Sequence, residues 1–143
     1  MSTSGPLWSR MIEQPRRVTA RLSESAIPTR CGVYAWFHNG EPMYAGSAIG
    51  GTGLRRRIWK EHLGTTHDLS RSSFRRNVCD HLGIAPISVS RQRPSRFTPR
   101  MVTPVNEWIR GCEVAWVEFR TEAEAKQYEA DLLREWKPPL NRR

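Results

Sequence analysis

The feature that most constrains this chain is an apolar run, Val33-Tyr34-Ala35-Trp36-Phe37, followed at once by His38-Asn39-Gly40-Glu41. An unbroken apolar run between turn signals predicts a strand buried on both faces. Asn-Gly between two apolar stretches predicts a tight hairpin, because both central residues must reach positive φ. The partner strand is expected over 43–46, with Pro42 tolerated where no ladder donor is needed. Tyr34 and Tyr44 then lie on two strands joined by a short turn and are able to approach each other. Tyrosine pairs on strands are ordinarily core or interface residues. A phenol also trades a proton when nearby cations lower its pKa.

Beyond the hairpin, Gly46, Gly50, Gly51 and Gly53 make a flexible loop. No Gly-Lys-Ser/Thr follows, so it is not a phosphate-cradling loop, and it does not fit a dinucleotide fingerprint either. A helix is expected over 54–63, with Leu54, Ile58 and either Trp59 or His62 at helical spacing. Arg55, Arg56, Arg57 and Lys60 populate the same two turns. A second helix is expected over 70–82, its stripe formed by Phe74, Val78 and Leu82, with Arg71, Arg75 and Arg76 beside it and Gly83 as its stop. Residues 86–104 read as a basic loop that carries Arg91, Arg93, Arg96 and Arg100, no acid, and interleaved Pro and Ser. A short helix over 105–110 and a third strand over 113–119 follow. In the last helix Thr121 and Glu124 make a capping box. Ala125, Tyr128, Leu132 and Trp136 form its core-facing stripe, and Pro138 and Pro139 end it. Residues 1–28 read as an N-terminal extension holding at most one helix, ahead of a single domain over 29–143. One domain is also what 143 residues accommodate.

The charge is uneven. The chain has 20 arginines and three lysines against 14 acids, a net charge of +9. The first hundred residues hold 16 of the basic residues and six of the acids, so the excess is concentrated there. A concentrated arginine excess suits a polyanion, most often nucleic acid; the plainer reading is a basic surface kept for solubility. No 18-residue apolar run exists, so no membrane span is expected. The sequence MSTSGPLWSR has no apolar core of a signal peptide. Cys31, Cys79 and Cys112 are odd in number and widely spaced, which supports neither a zinc ribbon nor a disulfide framework. A reducing cytoplasm is the expected location.

One acid is out of place. Glu129 has Ala125, Leu132, Leu133 and Trp136 as its helical neighbours. A carboxylate on or beside an apolar face is costly unless it is paired, protonated or bound to a metal. A structural ion pair with one of the many arginines is the ordinary reading.

These residues together resemble the GIY-YIG nuclease family. The resemblance rests on Gly32-Val33-Tyr34, on Tyr44-Ala45-Gly46 ten positions later, on an arginine in the next helix, and on a final Glu-bearing helix that closes in Pro138-Pro139-Leu140-Asn141. It implies a small α/β (α+β) domain in which helices flank a three-stranded antiparallel sheet, with the site on the sheet's surface. It further implies a metal-dependent endonuclease that hydrolyses phosphodiester bonds of nucleic acid, expected to be DNA. Tyr34 and Tyr44 match the motif tyrosines, one of them the general base. Arg57 matches the arginine clamp, Glu129 the single ligand of Mg²⁺ or Mn²⁺, and Asn141 a structural asparagine. Phosphate contacts are then expected from Arg55, Arg56, Lys60, Arg75, Arg76, Arg91, Arg93, Arg96 and Arg100.

The chain departs from the family at three places. Ala45 replaces a branched aliphatic residue, and Ser47 stands where some members carry lysine. Many members have His or Tyr four residues after the arginine, where this chain has Glu61, with His62 one further on. The resemblance puts His62 in the expected catalytic set; either the helix is locally shifted, or His62 has a lesser role, the plainest being a solvent-facing helix histidine. Two rival functions stand beside the nuclease. One is a basic nucleic-acid-binding module on the same fold without catalysis. The other is a small RNA-binding or ribosome-associated protein, for which no RNP, KH or GXXG pattern is present.

Overall fold

The computed structural model describes residues 5–142. Its centre is the expected hairpin, β2 (Gly32–His38) and β3 (Glu41–Ala48). Asn39 and Gly40 turn it with φ of 51° and 80°, as a two-residue turn of this hand demands. A bulge follows: Trp36 faces Tyr44 but Phe37 faces Pro42, so Met43 is the extra residue. β4 (Glu113–Glu118) pairs antiparallel with β2.

The sheet has four strands, not three. β1 (Arg17–Val18) pairs antiparallel with β4 and gives the order β1-β4-β2-β3. Two residues flanked by Pro15 carry no readable period, and β1 becomes a strand only because the edge of β4 accepts it. The helix α1 (Pro6–Glu13) also lies in the segment expected as an extension, and it is built into the fold. Trp8 and Met11 are buried on the sheet's second face.

β2 is buried along its length because its two sides serve two cores. Tyr34 and Trp36, with Tyr44, Phe74, Val78, Val105 and Ile109, fill one. Val33, Ala35 and Phe37, with Ala45, Val117, Ala125, Tyr128 and Leu132, fill the other. Each large apolar side chain so enclosed contributes about 1.5–3 kcal/mol. The first core is covered by α3 (Ser73–His81) and α5 (Pro99–Arg110), the second by α1 and α6 (Glu122–Glu135). The α6 capping box forms as expected: Glu124 N–H donates to Thr121 Oγ1 at 3.1 Å, and Thr121 N–H donates to Glu124 Oε1 at 3.2 Å.

The expected loop over 86–104 is partly helical. It holds α4 (Ile87–Ser90) and the start of α5, which begins at Pro99 and not near residue 105. Pro104 inside α5 costs about 3 kcal/mol in a helix. Burial of Val102, Val105 and Ile109 on the same helix offsets it. Among the described residues no helix is long and apolar enough to cross a membrane.

Candidate active site

The hairpin register sets the two tyrosines. Tyr34 faces Gly46, and Trp36 faces Tyr44, so both phenols lie on one face with ring centroids 6.5 Å apart. Gly46 is required there: a Cβ on it would come within 2.6 Å of Tyr34 Oη. The expectation that the tyrosines approach each other holds.

Their surroundings differ. Tyr34 is sealed, and its Oη lies 2.6 Å from His62 Nε2. His62 Nδ1 in turn lies 2.6 Å from Ser72 Oγ, which also caps α3 by accepting the Arg75 N–H at 3.0 Å. Tyr44 Oη lies 2.5 Å from Ser73 Oγ, and Tyr44 lines a cavity of about 460 Å³. Burial pushes the Tyr34 phenol well above its ordinary value, and Tyr44 adds to this while Arg57 works against it. Burial also raises Tyr44; the Ser73 hydrogen bond, Arg57 and Arg76 pull it down, and Glu129 pushes it up. His62 is held well below its usual value, first by burial and then by Arg57, Arg75 and Arg76.

The place of His62 follows from the backbone. α2 (Gly53–Arg55) runs straight into a π-helical segment, Arg56–His62. The Leu63 N–H donates to Ile58 O at 2.9 Å, five residues back. One residue more per turn sets Arg57 and His62 one wide turn apart. The helix is therefore locally shifted, and the solvent-facing histidine is not what the fold contains: His62 is completely buried. Glu61 sits in the same turn as Arg57 and forms an ion pair with its Nη1 at 2.9 Å. Arg57 and Glu129 both influence the two phenols electrostatically, but of the two only Glu129 lines the cavity with Tyr44; Arg57 lies outside its lining.

Glu129 lies half-buried on the flank of α6, beside buried Ala125 and Leu132. Its Oε1 accepts a hydrogen bond from Ser47 Oγ at 2.5 Å. Ser47 shares a sheet face with Val33 and Ala45, whereas Tyr44 points to the opposite face. Tyr44 and Glu129 thus come from opposite sides and meet around the edge of β3, both lining the same cavity. Asn141 closes part of that edge: its Oδ1 accepts the Ala45 N–H at 2.9 Å and its Nδ2 donates to Ala45 O at 2.8 Å. Those paired bonds mimic a neighbouring strand, a structural task.

No group of three or more His, Cys, Asp or Glu is placed to hold a metal ion among the described residues. A single carboxylate in a cavity wall does not suit zinc, which takes several protein ligands. It does suit Mg²⁺, which keeps most of its waters and uses one or two carboxylates plus substrate phosphate.

The basic residues divide. Arg76 and Arg91 line the cavity, as does Arg142, which is also ion-paired to Asp80 at 3.1 Å. Arg55 Nε donates to Ile27 O at 2.8 Å and Arg56 Nη2 to Ile49 O at 3.3 Å, so these guanidiniums also serve the local backbone. Lys60, Arg93, Arg96 and Arg100 are exposed. Arg75 departs from its expected role as a phosphate contact. It is only 2% exposed, its Nη2 donates to Thr66 O at 2.7 Å and Asn106 Oδ1 at 2.9 Å, and burial lowers its pKa to about 10. It braces the loop before α3 from inside.

Ser47, Ser72, Ser73, Asn77 and Arg142 also belong to the site or its support and were not anticipated. Only the serine pair ahead of the apolar stripe of α3 carried a local signal, that of an N-cap.

A hairpin with paired tyrosines, an arginine on the next helix and a glutamate on the last helix define a nuclease-type catalytic domain. Residues 16–143 match the family model described as GIY-YIG catalytic domain, and the chain belongs to that family. No curated protein and no solved structure matches it.

Proposed function

We propose that this domain is an endonuclease that hydrolyses phosphodiester bonds of nucleic acid, with DNA as its substrate, using Mg²⁺ or Mn²⁺. The observation that carries the reading is the convergence of Tyr44 and Glu129 on one cavity, from opposite faces of the sheet. Tyr44 is the better candidate for the base, since it lines the cavity while Tyr34 is sealed behind it and engaged with His62. Its phenolate would take a proton from the attacking water. Burial opposes that ionisation, and Ser73, Arg57 and Arg76 assist it. Arg57 has the planar fork that matches two phosphoryl oxygens. In the free protein its Nη1 is ion-paired with Glu61 at 2.9 Å, a partner that a phosphate would have to replace. Glu129, steadied by Ser47, would hold the cation. When bound, such an ion polarises the phosphoryl group and neutralises charge on the leaving oxygen. Tyr34, His62 and Ser72 position the hairpin against α3 and keep the Tyr34 hydroxyl satisfied without water.

The test is cleavage of plasmid, linear, branched and single-stranded substrates with and without Mg²⁺, comparing wild type with Glu129→Gln. Cleavage that needs Mg²⁺ and vanishes in the variant, with binding retained, is expected. Cation-independent cleavage by the variant overturns the metal assignment. Binding without cleavage on every substrate selects the non-catalytic module instead.

A further inference from the structure

Residues 86–104 carry four arginines that are equivalent in sequence, and the fold separates them. Arg91 directly follows α4 and lines the cavity shared by Tyr44, Glu129, Arg76 and Arg142. Arg93 turns away and donates from Nε to Ser70 Oγ at 2.8 Å. Arg96 and Arg100 are exposed, as Arg91 also is, but they do not line the cavity. The cavity therefore collects three guanidiniums from three separate elements, against the Glu129 carboxylate in its wall and the Asp80 carboxylate that pairs with Arg142. Arg76, on α3, is tied to the preceding segment by its Nη1, which donates to Ser70 O. Arg142 follows the Asn141 clasp on β3. Ile87 and Leu133 add an apolar wall.

A concave surface with this excess of positive charge concentrates anions. Its place next to Tyr44 and Glu129 says which anion. Resting on the nuclease reading above, we infer that the substrate strand, on one side of the scissile bond, runs through this cavity between α3, α4 and α6. Arg91 and Arg76 grip the phosphate next to the one that is cut, and the apolar wall receives the sugar between them. Arg93, Arg96 and Arg100 take no part in this grip. The cavity is thus a flanking-phosphate subsite, and it sets the direction in which a strand crosses the site.

The experiment uses the full chain and labelled oligonucleotides, single-stranded and duplex. Binding is first measured in EDTA across a salt series. Arg91→Ala is expected to reduce the log–log salt slope by about 0.9 on duplex or about 0.7 on single strand, one phosphate contact, and Arg96→Ala and Arg100→Ala by less than half of that. Equal changes in all three variants, or none in Arg91→Ala, overturn the inference whether or not the protein cuts. Cleavage with Mg²⁺ is then measured on oligonucleotides that carry one uncharged methylphosphonate linkage, moved position by position past the cut. Wild type should lose rate at the linkage next to the cut on one side only, and Arg91→Ala should lose clearly less from that replacement than wild type does, the remainder being the Arg76 contact. Independent, multiplying losses overturn the inference. The expected slopes with no cleavage on any substrate leave the phosphate contact standing and reject the nuclease reading.

Discussion

The two tyrosines sit on the same face of one hairpin, and each is bonded through a serine at the start of α3, yet their surroundings are opposite. Tyr34 reaches Ser72 only through His62 and is closed to solvent. Tyr44 touches Ser73 directly and faces the cavity that holds Glu129. Consecutive serines point to different partners because Ser72 is the N-cap of α3 and Ser73 its first helical residue. The contrast teaches that two chemically identical motif positions end in different surroundings, one enclosed behind His62 and the other on the cavity wall, according to which serine of α3 each one meets.

The largest break in that contrast is expected from Tyr→Phe at each site. Tyr44→Phe should lower single-turnover cleavage by about 10²–10⁴, the range for a lost general base. Tyr34→Phe should cost far less rate and show its effect in stability, since it leaves His62 Nε2 without a partner in the core, at about 1–3 kcal/mol. Denaturant midpoints and saturated rates measured on the same two variants separate the roles, and equal rate losses would erase the distinction.

Arg57 acts on both phenols and is the next largest lever. Arg57→Lys keeps the charge and loses the fork. Turnover should fall about a hundredfold, as for loss of one preorganised donor, with substrate affinity nearly kept. A drop in affinity alone would make Arg57 an ordinary phosphate contact.

His62 sharpens the comparison through pH. Its folded pKa lies well below the ordinary value of about 6.5 because it is buried among cations. Below pH of about 6.5 the unfolded chain binds a proton that the native chain refuses, so stability is full above that pH and falls as the pH drops toward the folded pKa. The loss approaches about 1.4 kcal/mol per pH unit. His62→Gln removes this titration. Urea unfolding of wild type and variant between neutral and mildly acid pH should show the steeper acid loss in wild type.

The smallest effect is expected from Ser73→Ala. The Ser73 hydrogen bond lowers the Tyr44 pKa. Without it the alkaline rise of the pH–rate profile should move to higher pH, with a loss of rate near neutrality. An unmoved profile would mean that Ser73 merely fills space.

Much of this was legible in the sequence. An apolar run ending in Asn-Gly specifies a hairpin wherever it is placed, because the turn's φ requirement is local. The Thr121–Glu124 box and the stripe behind it specify a helix for the same reason. Glu129 stood out because its helical neighbours are apolar. All of these features depend on residues within a few positions of one another.

What only the tertiary structure decided depends on distant residues. β1 is a strand because β4 offers an edge, and α1 is ordered because α6 receives it: Trp8 Nε1 donates to Leu132 O at 3.0 Å and to Trp136 O at 2.8 Å, while Glu135 accepts the N–H groups of Leu7 and Trp8. Arg75 reads as a surface cation, and only the loop folded over it, with Asn106 opposite, turns it inward. His62 falls out of the family's spacing by one residue, and the π-helical turn that restores its reach to Tyr34 is widened so that the imidazole meets partners on β2 and at the start of α3. Hydrogen bonds and apolar contacts between elements are worth more than the local preference of any one residue. They therefore set which side chains of a basic, tyrosine-bearing chain gather at the edge of β3.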